Sequence, residues 1–276
     1  MMRVRRLYRS IIVVFLVLMG GIASSDVWAE PSSVQSLHPL HTVAHYTVYI
    51  HGLRAMYLSV TYSDSHKHYD ATVQGKTVGL IGLFLPGNLY MHAEGGLTTE
   101  GGIKPETFTS SGYFHHQDQQ LKMVYKGDLP VVTKEEPQDV GREVVSNQAR
   151  TGAVDTLAAL IEVLRQVEIT HHCAEINGLV FDGRRLSTLQ VYPVQNTPSI
   201  VDVLNAPSKE ALRCDFVLHQ ILGFMPSEPG KPSKLHQLQP GRIWFQNVPS
   251  IGIVPSRLEL NHPKMGHIIL VLNKTS

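Results

Sequence analysis

Two consecutive arginines, Arg184 and Arg185, follow the dipeptide Asp182-Gly183, which is typical of a tight hairpin turn. Guanidinium groups donate paired hydrogen bonds to phosphate and carboxylate oxygens. We therefore take Asp182, Arg184 and Arg185 as the candidate ligand contacts, with an anionic head group as the ligand chemistry. In the alternative interpretation, one arginine pairs with Asp182 or packs its stem on a sheet, and the other is exposed.

The two cysteines, Cys173 and Cys214, are the next candidates for chemistry. They form no C-x-x-C clamp, which zinc sites and redox-active pairs usually contain. In an oxidising compartment an even pair favours a disulfide. The bridge would close a loop of roughly 40 residues and stabilise the fold by about 4 kcal/mol in the chain-entropy model. Two free buried thiols or a metal-binding pair remain the alternatives.

The 15 histidines invite a metal interpretation. The i, i+2 spacing of His66 and His68 on a strand would put both rings on one face, where they could ligate zinc or copper. Adjacent histidines on a strand point to opposite faces, and we interpret the clusters as solvated residues. The clusters are His66 with His68, His115 with His116, and His171 with His172. The sequence predicts no metal site and no cofactor.

Signatures of catalysis are missing. The segment Gly75-Lys76-Thr77 ends like a phosphate-binding loop, but Asp70 stands where the first glycine of that loop would be. Neither H-E-x-x-H nor G-x-S-x-G occurs. We therefore expect a protein without enzymatic activity, although a pair of carboxylates acting on a polymer is not excluded by sequence.

Period-two alternation of apolar residues predicts strands on both sides of a helix. Tyr46, Val48 and Ile50 alternate with polar residues, and a turn at His51-Gly52 predicts a hairpin with the next strand. Residues 78–85 predict one or two helical turns that plug the end of a sheet. The glycine pairs at 95–96 and 101–102 predict a loop that ends at Pro105. Two further loops are predicted at 193–213 and 225–240.

One segment is convincingly helical. Asp155 can cap a helix in which apolar residues follow i, i+3, i+4, i+7 spacing, and this stripe needs a sheet to cover. The predicted fold is mainly β (α+β): an extended curved antiparallel sheet or half-barrel of about ten strands, with one main amphipathic helix packed on it. Its strand-rich halves cover about 41–134 and 177–273, and the helix covers about 153–168.

The first 29 residues predict a cleavable export signal. A basic start with four arginines precedes a mostly apolar run at 11–22, and cleavage is expected between Ala29 and Glu30. The run is shorter than the roughly 20 residues that span a bilayer, so we expect no stable membrane anchor after cleavage. Residues 30–276 are then expected to form a single β-rich domain in the periplasm.

Charge excludes one class of partner. The formal net charge is +1, and without the four arginines and Asp26 of the signal the rest has 20 basic and 22 acidic residues. Such a chain has no basic surplus for nucleic acid.

Several short segments, in order, resemble a bacterial family of exported proteins, the domain of unknown function 3108. They are 46–53 (YTVYIHGL), 101–105 (GGIKP), the helix opened by Asp155, Cys173 followed by 180–185 (VFDGRR), Arg213-Cys214, and 221–224 (ILGF). The resemblance implies a periplasmic protein with a curved antiparallel sheet and a packed helix. It implies no activity.

The sequence predicts a non-catalytic periplasmic protein that binds a hydrophobic small molecule or lipid-like ligand in an apolar groove, in cell-envelope biogenesis or transport. A structural or adaptor protein with a filled core and only envelope proteins as partners is the alternative. A hydrolase of envelope polymer is the third.

Overall fold

The computed structural model describes residues 40–65, 67–114, 117–194, 211–226, 234–249 and 251–273, all of which lie in the compact unit His38–Ser276. These residues form thirteen strands and three α-helices. The strands are β1 (Leu40–Ile50), β2 (Leu53–Ser65), β3 (His68–Thr77), β4 (Asn88–Leu97), β5 (Ile103–Phe114), β6 (Gln117–Lys126), β7 (Leu129–Glu136), β8 (Ile176–Phe181), β9 (Leu186–Pro193), β10 (Leu212–Leu222), β11 (Gln239–Val248), β12 (Gly252–His262) and β13 (Gly266–Leu272). The helices are α1 (Gly79–Phe84), α2 (Asn147–Arg150) and α3 (Thr156–Thr170), and Lys234–His236 forms one 3-10 turn.

All described strands belong to one antiparallel sheet in the order β7-β6-β5-β4-β3-β2-β1-β13-β12-β11-β10-β9-β8. Each strand pairs with its sequence neighbour except at one seam, where β1 pairs with β13. The sheet therefore consists of two meanders that run outward from this seam. The predicted curved antiparallel sheet is confirmed, and it approaches a closed barrel rather than a half-barrel.

The structure has more strands than the roughly ten predicted. One reason is that the segment around the glycines at 95–96, for which a loop was predicted, belongs to a strand. Gly95 and Gly96 lie inside β4, and Pro105 lies inside β5. A Cβ atom at Gly95 would collide with the carbonyl of Lys104 and would lie 3.0 Å from Cε1 of Tyr69. The glycine therefore permits a close approach of β4 to β5, and the loop between them is limited to 98–102.

The segment before α3 bridges the two edges of the sheet. The amide of Gly152 donates to the carbonyl of Asp128 in the β6–β7 turn (2.8 Å). On the other side, the amide of Val154 donates to Leu179 (2.9 Å), and the amide of Phe181 donates to Val154 (2.8 Å). This segment thus provides hydrogen-bond partners for part of the backbone at the edge of β8. Because it also contacts the β6–β7 turn, it nearly closes the sheet.

Helix α3 fills the concave side of the sheet. It packs against β4 and β5 in one meander and against β8 and β12 in the other. Its buried residues lie on most of its circumference, which is typical of a helix enclosed by protein. They are Leu157, Ala158, Ala159, Ile161, Val163, Leu164 and Val167. The predicted helix is confirmed, with its bounds at Thr156 and Thr170.

The core is continuous from the helix to the inner face of the sheet. Phe108, Phe181 and Phe245 are at most 2% exposed. Burial of each such ring contributes roughly 1.5–3 kcal/mol. Arg165 ties the polar side of α3 to the sheet through an ion pair with Asp64 of β2 (2.6 Å).

The predicted cysteine pair is confirmed. Cys173, just after α3, and Cys214 in β10 are bonded, with their Cα atoms 5.6 Å apart. The bridge fixes the end of the helix to the second meander.

The short apolar helix α1 lies where it was predicted, but it is exposed, whereas a buried plug was predicted. Residues Gly79–Phe84 are helical, but none of them is buried. The helix therefore projects from the connection between β3 and β4 and does not plug the sheet. The loop predicted at 193–213 lies largely outside the described residues, as do Ala29 and Glu30. Of the loop predicted at 225–240, residues 227–233 lie outside them, and β11 already begins at Gln239.

Candidate functional site

The three predicted ligand contacts lie together in the β8–β9 turn. One carboxylate oxygen of Asp182 accepts hydrogen bonds from the backbone amides of Arg184 (3.0 Å) and Arg185 (2.7 Å). Gly183 has a φ of +93°, which favours glycine. The other oxygen of Asp182 pairs with the guanidinium of Arg185 (2.6 Å), whose side chain is 45% exposed. Local sequence thus determines this half of the site.

Arg184 points away from Arg185 and crosses to the opposite edge of the sheet. Its Nε lies 2.9 Å from a carboxylate oxygen of Glu135 in β7, and its Nη1 lies 3.5 Å from Asp139. Its Nη2 donates to the carbonyl of Pro137 (2.9 Å). All three guanidinium nitrogens of Arg184 therefore have an acceptor at the end of β7 or on the segment that follows it.

A second arginine extends this network. Arg142 pairs with Asp139 (2.6 Å) and donates to the carbonyl of Gly223 after β10 (2.6 Å). The carboxylate of Glu143 accepts from the amides of Gly223 (2.9 Å) and Phe224 (3.1 Å). We call Glu135, Asp139, Arg142 and Arg184 the arginine clasp, because it joins β7 to the turns after β8 and β10.

The clasp borders an opening of about 260 Å³. Asp182, Arg184 and Arg185 line one side of it, and Phe108 and Leu121 of the inner sheet face line another. Because both arginines already have carboxylate partners, an anionic ligand would have to compete with these ion pairs. Ligand contact by the three residues stays a prediction.

A different surface exposes four large apolar side chains at the connection between β3 and β4. Leu80 (60% exposed), Leu83 (73%), Phe84 (74%) and Leu85 (47%) belong to α1 and its C-terminal residue. We call these four residues the apolar tip. A contiguous patch of large exposed apolar side chains often marks a surface that contacts a protein or a membrane.

The base of the apolar tip is held firmly. The hydroxyl of Thr77 accepts from the amide of Gly87 (2.8 Å), and the amide of Thr77 donates to the carbonyl of Gly87 (3.0 Å). The amide of Val78 donates to Ala55 of β2 (3.0 Å). The chain thus leaves and re-enters the sheet at one fixed point, and the apolar side chains are presented by an ordered helical turn.

The surroundings of the apolar tip are basic. Arg54 and Lys76 are exposed beside it, and neither forms an ion pair within the part of the chain that the structure describes. Residues 44–63 and 71–93, which form its strands, contain no Asp or Glu. Tyr57 (44% exposed) and Tyr90 (41%) lie on these strands. The apolar tip is therefore flanked by exposed aromatic and basic side chains.

A surface depression of about 610 Å³ lies on the outer face of β1, β2 and β3. Polar residues such as His45, Ser59 and Gln74 line it. Thr47 in its floor donates to the side chain of Asn273 (2.8 Å). Its lining mixes polar residues with Tyr57 and Leu58, whereas a site for a lipid-like ligand is expected to be predominantly apolar.

Of the histidine clusters, His66, His115 and His116 lie outside the described residues. His171 terminates α3 in a left-handed conformation, with a φ of 59°. A different histidine lies in a group whose side chains have metal-ligand chemistry: Asp70, His92 and Glu94 on the outer face of β3 and β4. Sequence analysis missed this group because Asp70 lies on a different strand.

Two carboxyl groups at α3 have raised pKa values: the buried Asp155, which caps the helix, and the partly buried Glu168 near its end. Burial raises the pKa of Asp155 to about 6, although its hydrogen bonds from the amides of Leu157 and Ala158 and from Tyr125 favour the ionised form. Burial likewise raises the pKa of Glu168 to about 7, against the opposing effect of Arg165. Neither group lines the clasp opening or belongs to the apolar tip, so both bear on stability.

No helix within the described part of the chain is both long enough and apolar enough to cross a membrane. No protein-family model and no curated protein matches this chain. Among solved structures, it is similar to a β-barrel-like protein of the domain of unknown function 1849 from Brucella abortus. The two share 11% sequence identity with a TM-score of 0.45, over 86% of this chain and 96% of that chain. Membership of the domain of unknown function 3108 stays a prediction.

Proposed function

We propose that this chain is an exported, non-enzymatic protein that docks reversibly on an anionic lipid surface through the apolar tip. The export signal predicted in residues 1–29 supports a location in the cell envelope. The observation that carries the proposal is the exposure of Leu80, Leu83 and Phe84 on an ordered helical turn.

The packing of the sheet favours a ligand on its outside. In the described residues α3 occupies the concave side, where the sequence predicted an apolar groove. The opening at the clasp has a volume of only about 260 Å³ and has charged residues on one side. A lipid chain buried inside the sheet would have to displace packed core residues such as Leu157 and Phe108.

The chemistry of the tip matches the interface of a bilayer. Short amphipathic segments bury their apolar side chains at the boundary between head groups and acyl chains, and basic residues beside them attract anionic lipids. Each of Leu80, Leu83 and Phe84 would contribute about 1.5 kcal/mol on burial, given its exposed fraction. Arg54 and Lys76 would add about 1 kcal/mol each. The sum of roughly 6.5 kcal/mol corresponds to weak, reversible binding.

Vesicle co-sedimentation of the chain 30–276 tests this proposal. We expect binding to vesicles of phosphatidylethanolamine and phosphatidylglycerol, and weaker binding to phosphatidylcholine alone. The double variant Leu83→Ser, Phe84→Ser removes about 3 kcal/mol of apolar burial, so its partition coefficient should fall about 100-fold.

The matched control is Ile169→Ser, since Ile169 is 43% exposed in the last turn of α3. This variant should bind vesicles as the parent chain does. Equal binding by the tip variant and the parent would overturn the proposal. Absence of binding by the parent to both kinds of vesicle would also overturn it, and would favour the adaptor alternative with protein partners.

A further inference from the structure

Two neighbouring strands place three metal-binding side chains on one rigid outer face. Asp70 lies between the buried residues Tyr69 and Ala71 of β3, and His92 and Glu94 flank the buried Ala93 of β4. Because side chains alternate along a strand, all three point outward. One potential ligand atom from each residue lies within 4.8 Å of the others.

The register brings two carboxylates directly opposite each other. Asp70 is the partner of Glu94 in the β3–β4 ladder. Like charges directly opposite in a sheet are destabilising unless a cation lies between them. Within the described residues, neither carboxylate forms an ion pair with a lysine or an arginine. The nearest basic group is the imidazole of His92, whose Nε2 lies 2.8 Å from a carboxylate oxygen of Asp70. The negative charge of the two carboxylates is therefore not fully neutralised by their neighbours.

The orientation of Glu94 is fixed from the next strand. The hydroxyl of Thr107 in β5 donates to Oε1 of Glu94 (3.0 Å), which leaves Oε2 available. Hydrogen bonds of this kind orient carboxylates that bind metals. The three side chains are only partly exposed, with His92 at 24% and Asp70 at 43%, and the strands that carry them are in the interior of the sheet.

We propose that Asp70, His92 and Glu94 bind one Zn²⁺ ion. An imidazole nitrogen and two carboxylate oxygens are ligands that zinc accepts at about 2.0–2.2 Å, with water in the remaining position on the solvent side. Ligand atoms of a tetrahedral ion with such bonds are about 3.4 Å apart, so small side-chain rotations suffice. The ion replaces the contact between His92 and Asp70 and neutralises both carboxylates.

Isothermal titration of the metal-free chain 30–276 with zinc chloride tests the proposal. We expect binding at this site to weaken at least tenfold in each of the variants Asp70→Asn, His92→Ala and Glu94→Gln. Zinc should raise the thermal unfolding temperature of the parent, and this increase should be lost in the three variants. The asparagine and glutamine variants keep the shape of the parent side chains, so they separate loss of a ligand from loss of the fold.

The chain has other histidines, so matched controls are needed. His45→Ala removes an exposed histidine of the same outer face, and Asp118→Asn removes an exposed carboxylate at the start of β6. Both controls should titrate as the parent does. Unchanged zinc binding in the three site variants would overturn the proposal by assigning the ion elsewhere, and absence of zinc binding by the parent would overturn it directly.

Discussion

Replacement of Asp155 by asparagine should change how the stability of the protein depends on pH. The carboxylate of Asp155 is fully buried at the start of α3. One oxygen accepts from the amides of Leu157 (3.0 Å) and Ala158 (2.9 Å), and the other accepts from the hydroxyl of Tyr125 (3.2 Å). An asparagine can keep the two amide contacts but cannot ionise.

The magnitude follows from the pKa. Burial raises the pKa of Asp155 from 3.8 to about 6. The folded state therefore holds the proton where the unfolded state has lost it, and the free energy of unfolding falls as the pH rises through this window. Linkage gives a loss of about 2 kcal/mol between pH 4.5 and pH 7.5 from this group alone. This direction is opposite to that of a carboxylate stabilised by salt bridges.

Urea unfolding at these two pH values, followed by the fluorescence of Trp244, measures the effect. The parent should lose about 2 kcal/mol more than Asp155→Asn as the pH rises. Glu168 titrates in both proteins and cancels in the comparison. Asp118→Asn, at an exposed position of β6, should behave as the parent does. Equal pH dependence of the parent and Asp155→Asn would refute the reasoning. A difference of opposite sign would show that the helix amides outweigh burial.

Two further predictions concern the disulfide between the end of α3 and β10 and the ion pairs of the arginine clasp. The double variant Cys173→Ser, Cys214→Ser should be less stable than the oxidised parent by about 4 kcal/mol in urea unfolding, and equal stability of the two would show that the bridge adds nothing. Arg184→Ala should cost about 2 kcal/mol because it leaves Glu135 without its ion-pair partner, whereas Arg185→Ala should cost less than about 1 kcal/mol at its exposed position. Similar losses in the two arginine variants would contradict the role given to the clasp.

The elements of the fold that follow local patterns could be predicted from sequence. Alternation in β1 and β2, with His51 and Gly52 between them, gave the first hairpin correctly. The spacing of apolar residues after Asp155 gave α3 and its cap. The strands around Gly95 were missed because glycine is common in turns. Here the glycine is explained by the close approach of β4 to β5, which leaves no room for a side chain.

The parts of the candidate sites that depend on distant partners could not be predicted. The turn at Asp182 was correctly located. The partners of Arg184, however, come from β7 and the segment after it, more than 40 residues away, and are reached only because the sheet curves round on itself. The spacing of His92 and Glu94 places them on one strand face, whereas Asp70 joins them through the register of β3 on β4. The apolar tip was read as a plug because a short apolar run contains no information about whether it is covered.

The seam between β1 and β13 has a consequence for how the chain reaches this structure. Each other strand pairing joins neighbours in sequence, whereas Ile50 pairs with Ile268 across 218 residues. In the polymer model of loop closure, the first contact across such a distance costs about 3 kcal/mol more chain entropy than one across ten residues. Each meander can assemble from local hairpins, but the seam requires the two halves of the chain to meet. The first and last strands in sequence, β1 and β13, thus carry most of the topological cost of folding.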